Sequence, residues 1–286
     1  MSSNKPSLES PQKTRVGLLF FSGAGNTECL AKIFEKVMAS REDCEVVFCA
    51  RITRALDPEA LKPFDLLGVG FPIYFRRTPQ VVFEVISQLK GEGKRAFAFC
   101  TKGMYSGNVA REVLKACAGV GFEPVGNLEI HAPGTDLLLS TKKGSLSEKI
   151  VKRMRSRKIG KKVRDFIEAI LDTRNPSIPG TKWYTFLDEK GIKPLERLFT
   201  KDYQIFRGKY RVIQERCTGC LLCVRDCPEG NIRYQDGLIV FGDNCDTCLR
   251  CIHHCPTEAI QLGNKTLKAP RYRPTVSDDL EIITGG

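Results

Sequence analysis

The sequence predicts an α/β fold, three layers around a parallel sheet, followed by a smaller α+β unit. Three observations predict it. The first half of the 286-residue chain alternates short apolar runs with longer helical patterns. Two dense, similarly spaced cysteine runs lie between Cys217 and Cys255. A stretch bearing Pro176, Pro179, Gly180 and Gly191 separates the two regions and reads as a connector.

In chain order, strands are predicted near Arg15–Phe21, Glu45–Ala50, Leu66–Gly70, Ala96–Cys100 and Leu128–Ile130, each a short apolar run. The intervening helices are predicted at Thr27–Ser40, Pro79–Leu89 and Asn108–Gly119. Ser145 and Glu148 form a Ser-x-x-Glu capping pattern, which starts another helix that the following Arg/Lys-rich stretch breaks in two. Its later part sets Ile159, Val163, Phe166, Ile167 and Ile170 on one face, which should pack on the sheet. The expected divisions are 14–172 for the large domain, 173–209 for the connector, 210–270 for the cysteine-rich domain and 271–286 for a tail.

The net charge of +12 is unevenly spread, since residues 136–214 hold 20 Lys/Arg against 9 Asp/Glu. A basic segment between nearly neutral units argues against a nucleic-acid-binding chain. The polar first fourteen residues lack a secretory apolar run, and no stretch approaches about 18 uninterrupted apolar residues, so no transmembrane segment is expected and the default location is cytoplasmic. Of the thirteen cysteines, Cys29, Cys44, Cys49, Cys100 and Cys117 are scattered through apolar segments and read as small buried hydrophobes.

The other eight carry chemistry. Cys217 to Pro228 reads CTGCLLCVRDCP and Cys245 to Pro256 reads CDTCLRCIHHCP, a duplication offset by 28 positions. Three thiolates within seven residues can point into one concave loop whose N–H groups bond cluster sulfurs, while the proline directs the fourth cysteine away. A pair of four-thiolate zinc sites is the alternative, but zinc usually draws on two separated C-x2-C pairs. This run is the one that two-cluster ferredoxins carry, and there the fourth cysteine of each copy ligates the other cluster. That resemblance implies one [4Fe–4S] cluster on Cys217, Cys220, Cys223 and Cys255, and another on Cys245, Cys248, Cys251 and Cys227. His253 and His254 sit between ligands and read as packing around the clusters or as solvated side chains.

In a flavodoxin-like sheet of order 2-1-3-4-5, a cofactor binds beyond the carboxyl ends of the strands, near the switch between strands 1 and 3. Three loops are candidates for FMN. Ser22-Gly23-Ala24-Gly25-Asn26-Thr27 runs from strand 1 into a helix, where close backbone approach, hydroxyls and the helix N-terminus favour a phosphate. The loop with Pro72, Ile73, Tyr74 and Phe75 offers aromatics to stack on the isoalloxazine, bordered by Arg76 and Arg77. Thr101, Lys102, Gly103, Tyr105 and Gly107 suit contacts to the ring edge. Positive charge from Lys102, Arg76 and Arg77 would raise the flavin potential and make FMN the acceptor of electrons from the clusters. No catalytic pair or triad emerges, and His131 reads as structural.

These loops, the paired cysteine runs and the ending from Ala259-Ile260 through Arg271-Tyr272-Arg273 resemble the flavodoxin–ferredoxin fusion proteins of the EFR1 type over nearly the whole chain. The resemblance implies FMN, two [4Fe–4S] clusters and electron transfer, usually in anaerobes, with a flavodoxin-like domain ahead of a bacterial-type two-[4Fe–4S] ferredoxin domain. One departure is Ala24, where flavodoxins commonly carry threonine; its loss removes a phosphate-binding hydroxyl. The expected function is that of an oxidoreductase or electron-transfer protein linking a low-potential carrier to an acceptor, with acidic ferredoxin- or flavodoxin-type partners. The alternative is a redox-responsive binding protein whose basic segment 142–164 engages nucleic acid or an anionic surface.

Overall fold

A computed structural model describes residues 13–74, 76–103, 106–171 and 209–274. Its centre is a five-stranded parallel sheet of β1 (Thr14–Phe20), β2 (Cys44–Arg51), β3 (Leu66–Pro72), β4 (Arg95–Lys102) and β5 (Glu123–His131), in the order β2-β1-β3-β4-β5. That is the predicted order. β3 is buried along its whole length, and β1 and β4 nearly so, as parallel strands covered on both faces must be.

The covering helices α1 (Asn26–Ala39), α2 (Gln80–Ser87) and α3 (Val109–Gly119) fall within a residue or two of their predicted starts. One core layer joins Val81, Val82 and Val85 of α2 and Val113 and Leu114 of α3 to Leu67, Val69 and Phe71. The opposite layer gathers Leu30, Phe34 and Val37 of α1 against Leu18, Phe97 and Phe99. Gly68 and Gly70 make room for these rings: a Cβ on either would lie 2.5 or 2.3 Å from the Phe97 or Phe99 ring.

β5 is longer than its predicted core, because Pro124 and Gly126 mask its first half. At this edge of the sheet the ladder skips one residue between Pro124 and Gly126, a bulge that an edge strand tolerates. A five-residue helix, α4 (Thr135–Leu139), follows. The capped helix divides as expected into α5 (Leu146–Arg153) and α6 (Ile159–Leu171). Ser145 Oγ accepts from the Glu148 N–H at 3.2 Å, while the Glu148 carboxylate accepts from Gly144 N–H at 2.6 Å. Ile159, Val163, Ile167 and Ile170 are buried in the α1 layer with Phe166 packed beside them.

Arg15 clamps β1 to the start of β3 through a forked contact to Asp65, with N–O distances of 2.8 and 3.0 Å. This hydrogen bond holds the Asp65 carboxyl below its ordinary range. A depressed carboxyl stabilises the fold above the unfolded carboxyl pKa and loses that contribution as pH falls through the folded value. Asp65→Asn should therefore lower the thermal midpoint slightly at pH 7 and leave it unchanged at pH 2, measured by circular dichroism melts.

The cysteine-rich unit consists of β6 (Tyr210–Val212) paired antiparallel with β9 (Ile260–Leu262), a hairpin of β7 (Ile232–Gln235) and β8 (Leu238–Phe241), and two short helices, α7 (Leu222–Arg225) and α8 (Arg250–His254). Its duplication is visible in the backbone. Left-handed conformations recur 28 positions apart at Gly219 and Thr247 (φ 65° and 52°), Leu221 and Leu249 (57° and 60°), and Gly230 and Glu258 (59° and 52°). No helix among the described residues is long and apolar enough to cross a membrane. The connector assigned to 173–209 lies, apart from its last residue, outside the described residues, as does the tail beyond Pro274.

Candidate functional site

Each cysteine loop turns through its left-handed residues, so that three thiols and one from the other copy surround a small cavity. Cys245, Cys248, Cys251 and Cys227 line one, of about 20 Å³. Cys217, Cys220, Cys223 and Cys255 line a second of about 20 Å³. Each cavity thus gathers three cysteines of one run and the fourth of the other, the sets named by the ferredoxin resemblance. Backbone N–H groups are directed at the sulfurs: Asn231 donates to Cys227 Sγ at 3.3 Å, and Ala259, 28 positions later, to Cys255 Sγ at 3.2 Å. Thr247 N–H adds a 3.3 Å contact to Cys245 Sγ.

Burial alone opposes thiolates here. It pushes Cys223 up to about 11 and raises Cys248 and Cys251 as well. Burial also acts upward on Cys255, but the N–H groups of Ile260 and Ala259 and the Thr257 hydroxyl outweigh it and leave that thiol below its ordinary value. Four converging thiols with inward N–H groups need a cationic guest to be stable as thiolates. Among the described residues no three His, Cys, Asp or Glu side chains meet closely enough to hold one ion. Sulfurs standing apart around a cavity fit a cubane, whose corners separate its ligands, better than they fit zinc with Zn–S near 2.3 Å.

At the carboxyl edge of the sheet, the three predicted loops converge on a cavity of about 320 Å³. Ser22, Gly23, Ala24, Asn26 and Thr27 line it from the first loop, Pro72, Ile73 and Tyr74 from the second, and Thr101, Lys102 and Gly103 from the third. Gly25 (φ 120°) and Gly107 (φ 55°) shape their turns without lining the cavity. Phe75 and Tyr105 lie outside the described residues. No hydrogen bond among the described residues uses the N–H groups of Gly23, Ala24 or Gly25, so three donors at the start of α1 are open to a phosphate. The donor set thus fits FMN despite Ala24. Thr27 and Thr101 share a 2.8 Å hydroxyl contact that ties the first loop to the third.

Two features depart from the sequence reading. Lys102 does not present a bare charge: its Nζ lies 2.7 Å from Glu129 Oε2, with both side chains largely buried, and Ser106 Oγ donates to the same carboxylate at 2.8 Å. Arg77 is absent from the cavity wall, which Arg76 alone of the arginine pair lines. A fourth segment also lines the cavity and is not among the predicted loops: Ala132 to Gly134 after β5 and Thr135 to Leu137 in the first turn of α4. Its Pro133-Gly134-Thr135-Asp136 is a turn-and-cap signal at the same sheet edge.

The cysteine-rich unit sits on this edge. A Cβ on Gly23 would lie 2.3 Å from both the Cys248 carbonyl oxygen and Tyr74 Oη, so only glycine permits the approach. Arg250, buried on α8, donates to Gly23 O at 2.9 Å and lies 3.6 Å from Glu28. His254 Nε2 meets Ala24 O at 3.0 Å, and Tyr272 Oη donates to Asn26 Oδ1 at 2.8 Å. Both histidines are therefore packing residues: His253 is fully buried and its Nδ1 accepts from Tyr272 N–H at 3.2 Å, while His254 is half-buried at the contact with Ala24. On the far side Arg54 Nε reaches Glu229, whose carboxyl is raised to about 7 by burial and by Asp246, against the pull of Arg54. Of the scattered cysteines, Cys44, Cys100 and Cys117 are buried, whereas Cys29, in the first turn of α1 beside an open cleft, and Cys49, on the edge strand β2, are half-buried. His131 is exposed, its Nδ1 3.0 Å from Gly103 O, and it buttresses the third loop.

Residues 209–256 match the family described as a 4Fe-4S dicluster domain. No curated protein matches the chain. Among solved structures the chain is similar to a flavodoxin from the domain Archaea at 16% identity, covering 54% of this chain and 99% of that one with a TM-score of 0.33. Similarity to oxidised flavodoxin 2 from Bacillus cereus is at 18% identity, 55% and 98% coverage and a TM-score of 0.42. For rubredoxin oxygen:oxidoreductase from the anaerobe Desulfovibrio gigas the values are 16%, 57% and 38%, and 0.32. The sheet order is by itself that of the flavodoxin-like fold. The chain thus joins a flavodoxin-like α/β unit to a 4Fe–4S ferredoxin-like segment.

Proposed function

We propose that this chain is an electron-transfer iron–sulfur flavoprotein holding FMN in the cavity at the sheet edge and a [4Fe–4S] cluster in each four-cysteine cavity. When bound, the clusters supply one-electron exchange and the flavin one- or two-electron exchange. The observation that carries this reading is the Gly23–Cys248 contact, which sets the candidate flavin loop against a cluster-ligand loop. A further cavity of about 160 Å³ runs between Tyr74 and Asp136 of the flavin site and Thr247 and Leu249 of that loop. It shares Ile73, Tyr74, Thr135 and Asp136 with the flavin cavity and Leu249 with the inner cysteine cavity, so the three cavities adjoin in turn.

The chain's residues divide the work. Gly23, Ala24 and Gly25 offer N–H groups to the phosphate, Tyr74 walls the cavity, and Arg250, His254 and Tyr272 lock the two units together. Cys245, Cys248, Cys251 and Cys227 form the site near the flavin, and Cys217, Cys220, Cys223 and Cys255 the outer one. That order favours entry of electrons at the outer site and exchange with the flavin from the inner one.

Anaerobic purification followed by iron, sulfide, zinc and flavin analysis tests the cofactor set. About eight iron, eight sulfide and one FMN per chain are expected; stoichiometric zinc or a flavin-free protein would refute it. Cys227→Ser should remove about half the iron and alter the spectrum of the inner cluster, because the crossed assignment gives Cys227 to that set. Lys102→Gln should lower the flavin potential by uncovering the Glu129 carboxylate, whereas Glu129→Gln should raise it by uncovering the Lys102 ammonium. A redox titration of both variants reads the difference.

A further inference from the structure

We propose that the basic segment forms a binding site for a phosphorylated organic anion of nucleotide size, next to the candidate flavin cavity. It rests on the preceding reading only for the identity of that neighbour. Between α1, the end of β5 and the chain from α5 to α6 lies a cleft of about 640 Å³, within the range of roughly 300–1,000 Å³ typical of small-molecule sites. Lys149, Lys152, Arg153, Arg155, Arg157 and Arg273 line it, and among the described residues no Asp or Glu does.

Lys152 is held by Glu148 at 2.6 Å. Lys149, Arg153 and Arg157 have no carboxylate partner among the described residues. Gathering so many cations on one concave wall is unfavourable through mutual repulsion, and a bound polyanion relieves it. Arginine predominates, and its planar fork matches phosphate oxygens in pairs. The floor is different in kind. Leu30, Ile33, Ile130 and Ile159 make it apolar and buried, and Tyr272, fixed through Asn26, adds a flat ring. Inorganic phosphate would satisfy the rim but leave this floor wet, and an acidic protein surface would bridge the rim without filling the cleft. A phosphorylated molecule with a planar organic group meets both. Asn26, Thr101, Ala132 and Pro133 line this cleft and the candidate flavin cavity alike, so the occupant would abut the flavin site.

The test is calorimetric titration of the anaerobically purified full-length protein with ATP, adenosine and inorganic phosphate at low and high salt. Wild type and Arg153→Gln/Arg157→Gln would be compared, with flavin and iron measured on both. Both arginines are exposed, so the double variant is expected to fold. ATP should bind more tightly than either fragment, weaken with salt, and lose about tenfold or more in affinity in the variant, with flavin content unchanged. No ATP binding to wild type, or equal affinity in the variant, would overturn the proposal. Flavin loss from the variant would also overturn it, by assigning these cations to the flavin's own phosphate. So would weakened binding of an acidic ferredoxin to a protein that never binds ATP. ATP binding to a wild-type protein that carries no flavin would leave the cleft standing and refute the flavin reading alone.

Discussion

Gly23→Ala is expected to strip FMN from the protein while leaving its iron in place. The added methyl would have to occupy space 2.3 Å from the Cys248 carbonyl oxygen, a backbone atom that cannot swing aside, and equally close to Tyr74 Oη. Relieving the clash means lifting the first loop off the cysteine loop, at a cost of about 2 kcal/mol or more. That movement breaks the Arg250 contact to Gly23 O and the His254 contact to Ala24 O, and it turns the loop N–H groups away from a phosphate. A flavin-to-protein ratio near one in wild type and near zero in the variant, at unchanged iron, is the expected outcome. Retention of flavin with unchanged affinity would show that the contact plays no part in holding the loop.

The second large effect is expected from Arg250→Leu. This guanidinium has a side chain only 6% exposed and bridges the unit that carries Cys248 and Cys251 to the Gly23 carbonyl and the Glu28 carboxylate. Burial lowers its pKa, with the Arg51 charge acting the same way. Its protonated form is kept by the carbonyl and the nearby carboxylates of Glu28 and Asp226. Leucine fills the volume but orphans the carbonyl, and Glu28 keeps Arg51 at 2.8 Å. The loss should therefore be about 2 kcal/mol, felt at the junction between the units rather than inside either core. A lowered thermal midpoint with unchanged iron and slower exchange between clusters and flavin is the expected pattern. A midpoint and exchange rate equal to wild type would contradict the bridging role.

These two residues were not legible as a pair. Gly23 read as a phosphate-loop glycine, and Arg250 as one residue of a cysteine run; their contact spans 227 positions, and periodicity carries no information over that distance. What local chemistry dictates was readable. β1, β3 and β4 are buried on both faces and so appear as unbroken apolar runs, and the amphipathic face of α6 shows its period openly. The crossed sets of cysteines come only through the resemblance to ferredoxins, since spacing within each run does not imply them; the two small cavities are lined by those same sets. α4 is too short to show a helical period, and Pro124 and Gly126 disguised the beginning of β5. The β7–β8 hairpin did carry a signal, because Asp236 and Gly237 are an Asp-Gly pair with φ of 51° and 80°. Lys102 illustrates the remaining gap. Its place beside the cavity followed from its loop, but its neutralisation came from Glu129 on the neighbouring strand.

Rapid mixing of the anaerobic protein with a low-potential one-electron reductant, followed at wavelengths that separate cluster bleaching from flavin bleaching, tests the central claim most directly. A flavin phase that follows the cluster phase, at a rate independent of protein concentration, is the predicted result, because the two sites share one chain and one interface. A flavin phase whose rate rises with protein concentration, or a flavin that stays oxidised beside reduced clusters, would contradict it.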